Sequence, residues 1–245
     1  MQTLRERATS PAQYDGPDVK WIPEGDTDSS SRVFIKEYLE PVLGDLSGQD
    51  VLDVGCGTGW LSAVVEARDA ITYTGVDPSK HNIEAARRFH PKANFVNSRI
   101  EDFGSEQPFD LIACVMASEH IDDLRGAFSN WRQILTPDGR VLIVAADINT
   151  FTMTRFDYEL EIDRVSEDEA VVFTRRPSLK VDIADIIRSV PLFKRTAQAE
   201  GLQLVKTIPM IPTDLFLRLA PRYQEYPNDP VFQLMEFIKP EADKK

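Results

Sequence analysis

The chain has few residues that bind metals or cross-link: two cysteines and three histidines in 245 residues. Cys56 and Cys114 both lie in apolar, strand-like segments, where buried free thiols are expected, so a disulfide framework and a Cys/His metal cage are excluded. Long apolar runs are also missing. No stretch reaches the roughly 18 consecutive apolar residues of a membrane span, and the opening MQTLRERATSPAQYDG has no apolar centre for a secretory signal, so a cytoplasmic protein is expected. Basic charge is scarce as well: 28 Lys and Arg face 40 Asp and Glu, a formal charge of −12. With no basic cluster, that balance repels a phosphate backbone and argues against a nucleic acid partner. There is no internal repeat and no low-complexity tract.

What is present is a rhythm. After a polar leader through about Asp28, SSSRVFIKEYLEPVL offers serine N-caps and then Phe34, Ile35, Tyr38, Leu39 and Val42 at helical spacing. Strand-like DVLDVG, ITYTGVD, ANFVNSR, FDLIACVMA and RVLIVAAD follow, most of them separated by helical segments such as DDLRGAFSNWRQIL, whose Leu124, Ala127, Phe128, Trp131, Ile134 and Leu135 form one stripe. Such alternation predicts parallel βαβ units in a three-layer α/β sandwich, and the nearly continuous apolar strands suit a sheet covered on both faces. Residues 155–177 alternate polar and apolar around SEDE and read as an inserted antiparallel hairpin. DIADIIRSVPLFKRTAQAEG reads as a helix broken at Pro191, with Gly201 as its C-cap. LQLVKTIPMI and VFQLMEFIKP close the chain as two further strands.

The stretch VLDVGCGTGW places Gly55, Gly57 and Gly59 directly after the first strand. A glycine-rich turn that opens a helix lets backbone N–H groups approach a ligand at the positive end of the helix dipole. The dinucleotide fingerprint G-x-G-x-x-G/A asks for a small third residue, and Trp60 stands there instead, which counts against a nicotinamide-dependent oxidoreductase.

VLDVGCGTG resembles the first motif of class I S-adenosylmethionine-dependent methyltransferases, and the resemblance extends from about Tyr14 to the last strand. It implies a Rossmann-like sandwich with a seven-stranded, mostly parallel sheet whose seventh strand is antiparallel, S-adenosyl-L-methionine as cofactor and a small-molecule acceptor. It divides the chain into a leader or lid over residues 1–30 and a methyltransferase domain over 31–245. An insert at about 150–190 would serve acceptor recognition or a homodimer contact. The cofactor residues implied are Asp53, Gly55, Cys56, Gly57 and Gly59 on the first motif; Asp77, with Pro78, on GVDPS, where a carboxylate accepts from both ribose hydroxyls; Ile100 and Glu101 on NSRIEDF for the adenine; and Cys114 and Val115 through main-chain atoms. Arg99 stands where the family often has an acid. Tyr14, Trp21 and Arg32 are candidates for the cover over the cofactor. FDLIACVMASEHIDD ends in Glu119 and His120, which resemble the EH pair of the quinone-biosynthesis O-methyltransferases. His120 is the candidate general base or a brace for its loop, whereas His81 and His90 fall on or beside a surface helix and are expected to be solvated. Phe156, Tyr158, Phe216, Arg222, Tyr223, Arg175 and Arg176 are candidates for the acceptor side. Oxygen is the expected acceptor atom, followed by nitrogen or carbon; an oxidoreductase and a non-catalytic cofactor-binding protein stay open as alternatives.

Overall fold

The computed structural model describes residues 2–15, 29–153, 156, 158–176 and 181–240, excluding the side chains of Arg176 and Val181; Trp21 lies outside the described residues. In chain order the elements are α1 (Leu4–Ala8), α2 (Ala12–Asp15), α3 (Ser30–Leu43), β1 (Asp50–Val54), α4 (Trp60–Glu66), β2 (Thr72–Asp77), α5 (Lys80–Phe89), β3 (Asn94–Asn97) and β4 (Phe109–Val115). They continue with α6 (Leu124–Ile134), β5 (Leu135–Ala146), α7 (Ile148–Phe151), β6 (Glu159–Arg164), β7 (Glu169–Arg176), β8 (Val181–Arg188), α8 (Val190–Ala199), β9 (Gln203–Met210), α9 (Asp214–Leu219) and β10 (Phe232–Ile238).

Seven strands form one sheet in the order β3-β2-β1-β4-β5-β10-β9. The pairings among β1 to β5 are all parallel, and β10 runs antiparallel between β5 and β9, the pattern that the family resemblance implies. Apolar strand residues feed two cores. Phe34 of α3, Leu61 of α4 and Ile83 of α5 pack on one face; Phe128 and Trp131 of α6 and Phe193 of α8 pack on the other. The stripe of α6 is buried at Leu124, Ala127, Phe128, Trp131 and Ile134, and the Asp123 carboxylate caps the helix by accepting from the Gly126 N–H at 2.9 Å. Burying each large side chain contributes about 1.5 to 3 kcal/mol, so this stripe fixes the helix on the sheet. Gly139 lies in a bulge inside β5: Leu135 pairs with Phe109 and pairing resumes at Arg140 with Leu111.

The expected hairpin is the antiparallel pair β6–β7, and β8 extends it to a three-stranded antiparallel sheet, β6-β7-β8. Its third strand is the part whose sequence pattern reads as helix. Ile183, Ile186 and Ile187 have helical spacing, but Ala184 and Ile186 pack toward α1 while Ile187 joins the main core, so a strand buried on both faces imitates a helix face. Pro191 does not break a helix; it sits in the first turn of α8, where its missing N–H costs nothing, behind the Ser189 N-cap. The leader is also more structured than its polarity suggests. Thr3 and Glu6 form a capping box on α1, Ala8 is buried with Val171 and Phe173, and the Arg7 guanidinium lies 4.1 Å over the Phe173 ring.

Candidate functional site

Two adjoining cavities open at the C-terminal ends of the parallel strands, where ligands of open α/β sheets bind. The first, about 450 Å³, is walled by Gly55, Cys56, Gly57 and Thr58 after β1, Asp77 and Pro78 after β2, Ser98 to Glu101 after β3, and Val115 to Ala117 after β4. The second, about 340 Å³, lies between the main sheet, the inserted sheet and the segment around Arg222. Tyr14, Ser31, Arg32, Trp60, Val115, Met116 and His120 line both. Met116 holds a φ of 55°, a left-handed conformation that costs a non-glycine residue of order 1 to 3 kcal/mol and is found where function needs it.

The glycine loop shows why small residues stand there. Gly55 has φ +70°, and a Cβ would come within 2.3 Å of the Ala117 Cβ; a side chain would force the two cofactor-side loops apart. Gly57 has φ +54° and would meet nothing within 4 Å, because its missing side chain leaves space that belongs to the cavity. The Gly57 N–H donates to Asp77 Oδ2 at 2.9 Å, while Asp77 Oδ1 accepts from the Ser79 N–H at 2.8 Å and Asn82 Nδ2 at 3.3 Å. Burial raises the Asp77 carboxyl above its ordinary range, and these bonds work against it. A preoriented carboxylate beside an open glycine cradle fits a nucleoside diol.

Asp53, Gly59 and Cys114 stand behind the wall and do not line it. Asp53 accepts from the Tyr73 hydroxyl at 2.6 Å and is pushed up to about 7 by burial. Gly59 caps α4 against Phe95, and Cys114 is fully buried in β4. The raised Asp53 value has a sign: the folded state holds this proton between the unfolded value of about 3.9 and the folded value near 7, so the stability it contributes is lost as pH rises through 7. Asp53→Asn keeps an acceptor for Tyr73 without the charge. Its unfolding midpoint should exceed that of wild type by a margin that grows between about pH 5 and 7 and levels off above; a pH-independent difference over that range would show that Asp53 is already ionised throughout.

Glu119 and His120 have different surroundings. Both sit in a single 3-10 turn, Ser118–His120. The Glu119 carboxylate accepts from the Ala146 N–H at 2.6 Å and from Ser118 Oγ at 3.2 Å, bracing the turn on β5. His120 Nδ1 is 3.0 Å from the Ala8 carbonyl oxygen. A carbonyl only accepts, and it is nearer to Nδ1 than the Gln13 amide nitrogen at 3.3 Å, so this contact favours the proton on Nδ1 and the lone pair on Nε2. Nε2 pairs with the Tyr14 hydroxyl in a short hydrogen bond and stands 3.6 Å from Asp185 Oδ1. Burial lowers the His120 pKa, although Glu119, Ala8 and Asp77 raise it, so the imidazole is neutral near pH 7. Of the other histidines, His81 is exposed, but His90 is half-buried with its ring near Phe95, contrary to the solvated position expected for it.

On the acceptor side, Phe156, Tyr158, Arg222 and Tyr223 line the second cavity. Phe216 is buried and stacked on Phe34, Arg175 is exposed and paired with Glu159, and the Arg176 side chain is outside the described residues. Two further residues of the site carry no signal in the sequence: Asp185, because β8 has the pattern of a helix, and Asn82, whose role emerges only once α5 sets it beside Asp77. Among the described residues no group of His, Cys, Asp and Glu is arranged to hold a metal ion, and no helix is long and apolar enough to cross a membrane.

The sheet order, the glycine cradle and the cleft at the strand ends define a Rossmann-like methyltransferase fold. The chain belongs to the methyltransferase-domain family, whose model matches residues 30–172. It is 35% identical over 114 residues, 42% of this chain and 48% of the relative, to the ubiquinone biosynthesis O-methyltransferase of Actinobacillus pleuropneumoniae. To the enzyme of the same description from Neisseria meningitidis serogroup A it is 33% identical over 113 residues, 43% and 47% of the two chains. The alignments thus span about half the length of these curated relatives. An S-adenosylmethionine-dependent methyltransferase from Mesorhizobium loti superposes with a TM-score of 0.67 at 19% identity over 85% of this chain and 99% of that one. The glycopeptide N-methyltransferase MtfA in complex with S-adenosylhomocysteine gives 0.63 at 14% identity over 92% and 99%. These two likenesses concern the fold.

Proposed function

We propose that this protein transfers a methyl group from S-adenosylmethionine to an oxygen of a small, ring-bearing acceptor. The observation that carries the reading is the wall shared by the two cavities, in which His120 faces both the glycine-cradle side and the aromatic side. In the first cavity Asp77 would accept from the ribose hydroxyls, the Ile100–Glu101 main chain would meet the adenine, and Val115 would flank the methionine portion through its backbone. Arg32, which donates to Thr58 Oγ1 at 3.2 Å and lies 5.9 Å from the Trp60 ring centroid, would pair with the methionine carboxylate. When bound, the donor supplies a sulfonium with an activated methyl, so the protein mainly positions the acceptor and removes its proton.

His120 is suited to removing that proton, since the Ala8 carbonyl holds the hydrogen on Nδ1 and Nε2 is the basic atom, which an acceptor hydroxyl would reach by taking the place of the Tyr14 hydroxyl. Trp60, Phe151, Phe156, Tyr158, Tyr223 and Phe232 make the acceptor cavity aromatic, which favours a flat ring. That the curated relatives carry the description O-methyltransferase supports oxygen as the acceptor atom. The test is release of S-adenosylhomocysteine with catechol, simple phenols and aromatic amines offered in parallel. Turnover of the hydroxyl-bearing rings is expected; turnover of amines alone would overturn oxygen as the target. Tight binding of NADH without binding of S-adenosylmethionine would overturn the whole reading.

A further inference from the structure

We propose that Arg188, on the last strand of the inserted sheet, is a positioning residue that sets where His120 stands. Its side chain is 1% exposed. Nη1 donates to the Ser118 carbonyl at 2.8 Å and Nη2 to the Ile121 carbonyl at 2.8 Å, so one guanidinium grips the His120 turn at both ends. Nη2 also reaches the Asp122 carbonyl at 3.3 Å, and Nε donates to Glu169 at 2.8 Å. The other oxygen of Glu169 accepts from Arg5 of α1 at 2.8 Å. The strand β8, the helix α1 and the turn carrying His120 are therefore tied through buried Arg188 and its half-buried partner Glu169.

A purely structural tie would not need this chemistry. A buried ion pair stabilises little against a well-packed apolar replacement, because desolvation offsets the attraction. What arginine supplies is a rigid planar fork that holds two carbonyl oxygens at fixed directions, which lysine cannot do. The proposal rests on His120 acting as the base, and it gives the insert a role beyond enclosing the acceptor. The groups facing His120 from the surrounding elements are Tyr14 of α2, Asp185 and Arg188 of β8, Asp77 of β2 and Glu119 of its own turn.

The test uses imidazole NMR on the full chain, whose three histidines allow His120 to be assigned by its disappearance in His120→Gln. In the wild type, the rings of Tyr14 and His120, 5.1 Å apart, should give a through-space contact. Arg188→Lys keeps the charge and loses the fork. It should weaken that contact and lower turnover of catechol about tenfold or more, with S-adenosylhomocysteine affinity within about threefold of wild type. Arg188→Met should do the same and also move the His120 titration to higher pH, because a nearby positive charge is gone. If both variants are folded and show the wild-type ring contact and His120 titration, Arg188 is only a tie and the proposal fails. Should Arg188→Met not fold, Arg188→Lys and Glu169→Gln carry the same comparison. The ring contact, titration and binding readouts need no turnover, so wild-type inactivity on catechol would count against the methyl-transfer reading and leave the positioning result standing.

Discussion

His120→Ala is expected to lower turnover by about a hundredfold or more while leaving S-adenosylhomocysteine affinity within about threefold of wild type, the split that separates a general base from a binding residue. The geometry supplies the reason. The Ala8 carbonyl fixes the Nδ1 proton, so Nε2 is the basic atom, and the residue lines the wall common to both cavities. The pH profile should follow. Burial lowers the His120 pKa, and the active form is the neutral one, which persists as pH falls until that lowered value is reached. The acid limb of kcat/KM should therefore lie below the ordinary histidine value of about 6.5 and disappear in His120→Ala. Full activity in His120→Ala would reduce His120 to a brace, a role that Glu119 already fills through Ala146.

Asp77→Ala should raise the dissociation constant for S-adenosylhomocysteine about a hundredfold, since two bonds to a charged carboxylate are lost at about 1.5 kcal/mol or more each. The same change removes the acceptor for the Gly57 N–H and so loosens the cradle itself. Asp77→Asn keeps one accepting oxygen and should fall between the two, with a loss of about tenfold. Calorimetric titration measures both. An unchanged affinity in Asp77→Ala would mean that the ribose lies elsewhere.

The parts of this molecule that are legible in the sequence are those whose causes are local. Strands such as LIACVMA are apolar throughout because both sheet faces are covered, and VLDVGCGTGW shows its turn through residues a few positions apart. Asp77 follows from its place at a strand end. What stays hidden depends on distant partners. Nothing near Tyr14 indicates that its hydroxyl meets a histidine 106 positions later. The strand β8 buries both faces, so its isoleucines imitate a helix, and that imitation conceals both Asp185 and Arg188. Asp53, Gly59 and Cys114 belong to the motifs in sequence but stand behind the cavity wall. Asp53 and Cys114 each stand one residue before the end of their strand, where Val54 and Val115 line the cavity, so both lie below its floor.

If the donor lies in the glycine cradle with its reacting end at the wall shared with the acceptor cavity, a crystal structure with S-adenosylhomocysteine will show it most directly. The expected result is the ribose on Asp77, the adenine against Ile100 and Glu101, and the sulfur directed at the wall formed by Met116 and His120. A ligand seated outside that cavity, or with its sulfur turned away from His120, would contradict it.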